Sequence, residues 1–201
     1  DPRYDKPFAA GWPRGIRECE SERFLMNVHG TFYEMPRDRG LPLIKPVCSH
    51  GRQIMDYCTW RGLLVICGTL QAARPDGHCF TSADGKVGLW FGAIDDLWRL
   101  GKPVGAGGPW AETPVRPGVP SDPYLMTGFD RKRMTLRHDA KTPVRFTVEV
   151  DVDHAQWVVY DTIAVPAGEE VEHAFAPGFN AHWLRVKVDR PCTATVRLTY
   201  E

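Results

Sequence analysis

Between residues 144 and 152 the chain alternates without a break: Val144, Phe146, Val148, Val150 and Val152 are apolar, and Arg145, Thr147, Glu149 and Asp151 between them are polar. A period of two puts each set on its own face of a β-strand, so the segment is expected to bury one face in a core. The same alternation runs through 134–138, 157–165, 184–188 and 194–200, with Pro, Gly, Asp and Asn between the runs. Five or more such strands predict an antiparallel β-sandwich over 124–201.

Upstream, over 24–100, a looser form recurs in which a short apolar strand, a turn containing Gly and a second apolar strand follow one another. Residues 24–28 lead through His29-Gly30 into 31–35, 54–59 through Arg61-Gly62 into 63–67, and 79–82 through Asp84-Gly85 into 87–91. Consecutive hairpins make a meander, the pattern of propeller blades. Three hairpins supply about six strands, too few to close a propeller of at least about four blades of four strands. The predicted fold class is therefore all-β: a partial, propeller-blade-like meander over 1–100, followed by the sandwich. One short helix is expected at 94–100, with Asp95 and Asp96 in the first turn where they suit the helix dipole.

The two regions are separated by 101–123, where prolines at 103, 109, 114, 117, 120 and 123 and glycines at 101, 105, 107, 108 and 118 crowd together. Proline lacks the backbone donor and fixes φ, so neither a helix nor a central strand is expected here. The stretch reads as a stiff connector, with Trp110 available to pin it against a neighbouring module.

Composition removes several classes of function. Lys plus Arg and Asp plus Glu are both 25, so no basic excess exists to neutralise a phosphate backbone, and nucleic acid is not an expected partner. The longest apolar run, Leu63 to Cys67, is far short of the roughly 20 residues of a membrane span, so the chain reads as soluble, without a membrane partner or a signal peptide. It opens on Asp1-Pro2 without Met, as a processed product or a piece of a longer precursor would. The six cysteines have neither the Cys-x-x-Cys nor the His spacing of a zinc site. Cys58 and Cys67 flank the Arg61-Gly62 turn, where they either face each other as a disulfide or stay free as buried thiols.

The stretches 17–23 (Arg-Glu-Cys-Glu-Ser-Glu-Arg), 28–34 (Val-His-Gly-Thr-Phe-Tyr-Glu), 89–98 (Leu-Trp-Phe-Gly-Ala-Ile-Asp-Asp-Leu-Trp) and 121–128 (Ser-Asp-Pro-Tyr-Leu-Met-Thr-Gly) resemble the C-terminal part of bacterial proteins in which a β-propeller precedes a β-sandwich. Such proteins are similar to carbohydrate-active enzymes of the propeller-type glycosidase and polysaccharide-lyase kind. The resemblance implies a polysaccharide or oligosaccharide as partner and a periplasmic or secreted location. It also implies a missing N-terminal region, or self-association in its place. Residues 82–90 also resemble the Asp-box turns of sialidase-like propellers, with Gly and Trp one residue late, and are read as a tight Asp-Gly turn.

Candidate chemistry concentrates upstream of the connector. His29, His50 and Tyr57 are expected as catalytic groups, general acid or base on a sugar, and Tyr33, Arg52, Arg61 and His78 as substrate-binding groups, an Arg pairing with a uronate carboxylate. All fall at or beside hairpin ends. The structural alternative is that His29 and His50, each before a Gly, and His78 in an Asp76-Gly77-His78 turn only shape their turns. Glu18, Glu20 and Glu22 alternate with Cys19, Ser21 and Arg23, as on the solvent face of an extended strand. Glu34, Asp56, Asp84, Asp95 and Asp96 are the other carboxylates from which a glycosidase pair would have to come.

Downstream, His138 and His173 share faces with apolar residues and are expected in the core or at its rim. Trp157 and Trp183 are expected to fill the core, the alternative being that their rings stack on sugars. No phosphate-cradling loop, nucleotide fingerprint or Ser-His-Asp order occurs, and no cofactor or metal is expected.

Overall fold

The alternating segments of the second half are strands, with the registers their periodicity demands. In the computed structural model, which describes residues 14–20, 23–38, 41–52, 54–68 and 77–201, the chain divides between Pro103 and Val104 into two units. It is all-β, with four antiparallel sheets and none closed into a barrel.

In the first unit, β1 (Gly15–Cys19), β2 (Arg23–Val28), β3 (Thr31–Met35) and β4 (Lys45–Ser49) lie in sequence order in one sheet. A second contains β5 (Ile54–Trp60), β6 (Leu63–Gly68), β7 (Cys79–Thr81) and β8 (Gly88–Gly92) in the order β5-β6-β8-β7. The three expected hairpins are all present as β2/β3, β5/β6 and β7/β8. His29-Gly30 has φ of 52 and 76°, and Arg61-Gly62 has 51 and 78°. Two successive positive φ values are what a two-residue hairpin turn matched to strand twist needs.

The unit holds eight strands among its described residues, where the hairpin count gave about six. The two extra ones, β1 and β4, are edge strands with weak signals. β4 tolerates Pro46 because an outer edge requires no ladder donor, and β1 is mostly exposed. The expected Glu18-Glu20-Glu22 face ends early: Glu18 is exposed on β1, Glu20 turns the chain at φ 57°, and Ser21 and Glu22 lie outside the described residues.

The β7/β8 turn is held by Asp84. Its Oδ1 accepts from the Ser82 hydroxyl at 2.6 Å and the Lys86 amide at 3.2 Å, while Ser82 N–H donates to Val87 O at 2.8 Å. Residues Ile94–Leu100 form the expected short helix, of the 3-10 kind. Asp96 caps it, accepting from Ala93 N–H at 2.9 Å. One apolar cluster unites the two sheets: Leu25, Phe32 and Cys48 from the first meet Tyr57, Leu64, Ile66 and Trp90 from the second.

The second unit also has two four-stranded sheets. One has the order β10-β15-β12-β13, built of β10 (Tyr124–Leu125), β12 (Val144–Asp151), β13 (Trp157–Val165) and β15 (Trp183–Val188). The other has the order β14-β11-β16-β9, built of β9 (Gly105–Val115), β11 (Lys132–His138), β14 (Glu170–Ala174) and β16 (Cys192–Tyr200). Phe146, Val148, Val150, Leu184 and Val186 from the first sheet share a core with Met134, Leu136, Val196 and Leu198 from the second. His138 is buried beside them, as its face predicts, with Nε2 3.0 Å from Val165 O.

Two expectations are corrected here, for the connector and for two tryptophans, and one open alternative is decided, for the cysteines. Residues 105–115, expected to lie in a connector, are a strand that pairs with β16 at the edge of its sheet. Register shifts on either side of Val196 absorb the irregular stretch. The prolines exclude a central strand, as argued from the sequence, but an edge accepts them. Gly108 is required there, since a Cβ would stand 1.8 Å from Val196 O.

Cys58 lies opposite Val65 and Cys67 opposite Asp56, and all six cysteines are free thiols. Trp157 and Trp183 are half-buried and outside the core cluster, because each pairs with Asp151, on the side of β12 opposite Phe146, Val148 and Val150.

Candidate binding surface

The residues expected to carry chemistry come together only in part. His50 and Tyr57 both lie against Phe32, each with ring centroids 5.1 Å from it, in the core of the first unit. The His50 ring is 7% exposed. Its Nδ1 accepts from Arg52 N–H at 3.0 Å, which fixes the proton on Nε2, 2.9 Å from Asn27 Oδ1. Burial, and after it the charge of Arg52, lowers the imidazole pKa to about 4. A base at work on sugar needs a lone pair that the substrate can reach; both nitrogens here are spent on the fold.

The Tyr57 hydroxyl lies 2.7 Å from Leu25 O and 2.8 Å from Gly15 O, and burial foremost pushes its pKa above the ordinary phenol value. The pair thus ties β5 to β1 and β2 through backbone carbonyls.

His29 is the first residue of its two-residue turn, with Arg14 Nη2 2.7 Å from Nε2. That turn is joined to His50-Gly51 by Gly51 N–H donating to Gly30 O at 3.0 Å. Tyr33 lies in β3 opposite Met26, on the opposite face from Phe32. Arg52 supplies its backbone amide to His50. Arg61 sits in its turn with the guanidinium carbon 5.1 Å from the Trp60 ring centre. His78 stacks on Trp90 at 5.6 Å and its Nδ1 donates to Phe91 O at 2.7 Å; Asp76 of its expected turn lies outside the described residues. Among the carboxylates, Glu34 faces Arg23 and Lys45, Asp56 faces Arg17, and Asp95 faces Arg23, so each neutralises a cation.

A different constellation gathers on the outer face of the β10-β15-β12-β13 sheet. Core packing of Phe146, Val148 and Val150 turns Glu149 and Asp151 outward. Asp151 stands between Trp157 on β13 and Trp183 on β15, directly opposite both. One row along, Glu149 lies opposite Arg185. Glu149 Oε2 accepts from Arg185 Nε and Oε1 from Lys187 Nζ, both at 2.6 Å. The Arg185 guanidinium carbon lies 4.3 Å from the Trp157 ring centre.

No family model matches this chain, and no curated protein matches it.

Loops complete the surface at the Asp151 end. His154 N–H donates to Asp151 Oδ1 at 2.7 Å, His182 N–H donates to Asp151 O at 2.8 Å, and the two imidazoles meet at 4.4 Å. His182 in turn lies 5.6 Å from Trp183. Tryptophan rings, a guanidinium and an ammonium thus share one sheet face, with the Glu149 carboxylate orienting both cations. Flat apolar rings beside fixed polar groups suit a ligand with an apolar face and a hydroxylated edge.

Sequence reading had Trp157 and Trp183 in view, but not their partners. The signal was present: Glu149 and Asp151 are on the polar side of one alternating strand, and Arg185 and Lys187 alternate with Leu184, Val186 and Val188 in another. Complementary charges at the same period on two strands mark a paired outer face.

Proposed function

We propose that this chain is the accessory, sugar-binding part of a carbohydrate-active protein that acts on polysaccharide, with binding on the outer face that carries Trp157 and Trp183. In this reading the two sheets of the second unit form a β-sandwich, and the hairpin sheets of the first resemble propeller blades. The observation that carries it is the placement of Trp157 and Trp183 on either side of Asp151, outside the core, where a fold needing only apolar filling has no use for them. Binding is favoured over catalysis because His50 and Tyr57 are engaged within the first unit's core.

The test is affinity electrophoresis of the chain through gels containing neutral and uronate-bearing polysaccharides, followed by calorimetry on any that retard it. One class should retard the chain, and Trp157→Ala and Trp183→Ala should each weaken binding about tenfold, the equivalent of about 1.4 kcal/mol and in the range of one aromatic contact. Retardation by none, or equal retardation of both variants, sinks the reading.

A further inference from the structure

Two loops of the second unit repeat one pattern, Gly128-Phe129-Asp130 and Gly178-Phe179-Asn180. Each turns on its glycine, at φ of 80 and 76°, in the left-handed region that glycine enters without strain. The rings that follow are fixed by stacking, Phe129 on Tyr200 at 4.2 Å and Phe179 on Phe175 at 5.6 Å. Both segments converge on Lys132, whose ammonium donates to Phe129 O at 2.6 Å and to Phe179 O at 2.9 Å. Between them lies a hollow of about 460 Å³, lined by Thr127, the two Gly-Phe-Asx segments and Lys132. Small-molecule sites commonly measure roughly 300 to 1,000 Å³.

The polar groups define the guest. Lys132 is 5% exposed, and the third donor of its ammonium has no partner among the described residues. Asp130 borders the hollow as an acceptor, and the Asn180 amide offers both a donor and an acceptor. An anion would meet the Asp130 carboxylate, a cation would meet the Lys132 ammonium, and an apolar guest would strip water from both without replacing it. Neighbouring hydroxyls satisfy all three groups, since a hydroxyl accepts from an ammonium and donates to a carboxylate, each in a charge-assisted bond. Phe129 and Phe179 give the C–H edges of a ring an apolar wall. We infer that this hollow binds a single neutral sugar residue, with Lys132, Asp130 and Asn180 holding its hydroxyls. The site uses no residue of the Trp157 and Trp183 face and does not depend on the reading of that face.

Heteronuclear NMR of the 201-residue chain, titrated with glucose, galactose and mannose, tests this. At least one hexose should shift the amides of Gly128, Phe129, Gly178 and Asn180 saturably, with Kd on the order of millimolar for a guest of this size. Asn180→Ala and Asp130→Asn, both at exposed positions, should each raise that Kd at least about threefold while spectral dispersion shows that the fold is kept. A second comparison needs no variant: the uronate of the hexose that binds brings a carboxylate toward Asp130 and should bind more weakly. The indole signals of Trp157 and Trp183 report the other face in the same spectra, so the two sites succeed or fail separately. The inference is overturned by the absence of saturable loop shifts with all three hexoses, by a Kd indifferent to either variant, or by a uronate that binds as tightly as its hexose.

Discussion

Arg185 is held between Trp157 and Glu149: its guanidinium carbon lies 4.3 Å from the indole centre while its Nε donates to the carboxylate at 2.6 Å. Glu149 is 7% exposed and also takes Lys187. Desolvation opposes its charge, but hydrogen bonds from Lys187 and Arg185 outweigh it and hold the carboxyl below its ordinary pKa. Glu149→Gln leaves two cations facing each other and should cost about 2 kcal/mol in urea unfolding at pH 7. A double-mutant cycle with Arg185→Met should return a coupling of about 1 kcal/mol or more. Additive losses would mean that the cations do not depend on this carboxylate.

His50 makes the first unit sensitive to acid. Its folded pKa of about 4 is below the ordinary 6.5, so the unfolded chain binds more protons between those values. Stability is complete above pH 6.5 and is lost as pH falls toward 4, by about 3 kcal/mol in total. Imidazole NMR signals should show His50 titrating near pH 4; a midpoint near 6.5 would refute the packing described for it.

Lys132 is 5% exposed, and its ammonium donates to Phe129 O at 2.6 Å and Phe179 O at 2.9 Å, joining two loops. Lys132→Met keeps the stem but abandons both carbonyls, and should lower stability by about 2 to 3 kcal/mol in thermal or urea unfolding. A loss under about 0.5 kcal/mol would show that water replaces the ammonium without cost.

Tyr57→Phe removes the hydroxyl beside Leu25 O and Gly15 O, for an expected loss of about 1 kcal/mol. Polysaccharide binding should be unaffected. A variant of native stability that no longer binds would restore Tyr57 as a substrate group.

Gly108→Ala forces a methyl group against Val196 O, which is backbone and cannot swing aside. The strand β9 must lift from β16, so hydrogen exchange of the 105–115 amides should accelerate, with a loss of at least about 2 kcal/mol. Unchanged exchange would contradict the register of this edge.

Strands with strict alternation were legible because one face of each lies in a core: β12 and β13 were read within a residue of their ends. Edge strands were not, since β1 is mostly exposed, β4 buries Pro46, Val47 and Cys48 in a row without alternation, and β9 carries prolines that weaken the period. At the candidate sites, residue types at hairpin ends were read correctly as turn residues in His29 and Arg61, yet position along the chain does not tell inward from outward for a histidine. His50 went to the core because Asn27 and the Arg52 amide satisfy its two nitrogens, and both partnerships depend on the fold. The Trp157 surface was hidden for a similar reason: the cross-strand pairs Asp151 with Trp157 and Trp183, and Glu149 with Arg185, acquire meaning only once register is known.

The shifted, proline-bearing edge of β9 also bears on what this sheet offers to other chains. A straight outer strand offers a ladder of donors and acceptors to any passing chain and so seeds aggregation. Pro109 and Pro114 withdraw two donors from β9, and its register shifts spoil the spacing of the others. Edge-to-edge extension into fibrils is thereby discouraged along this border.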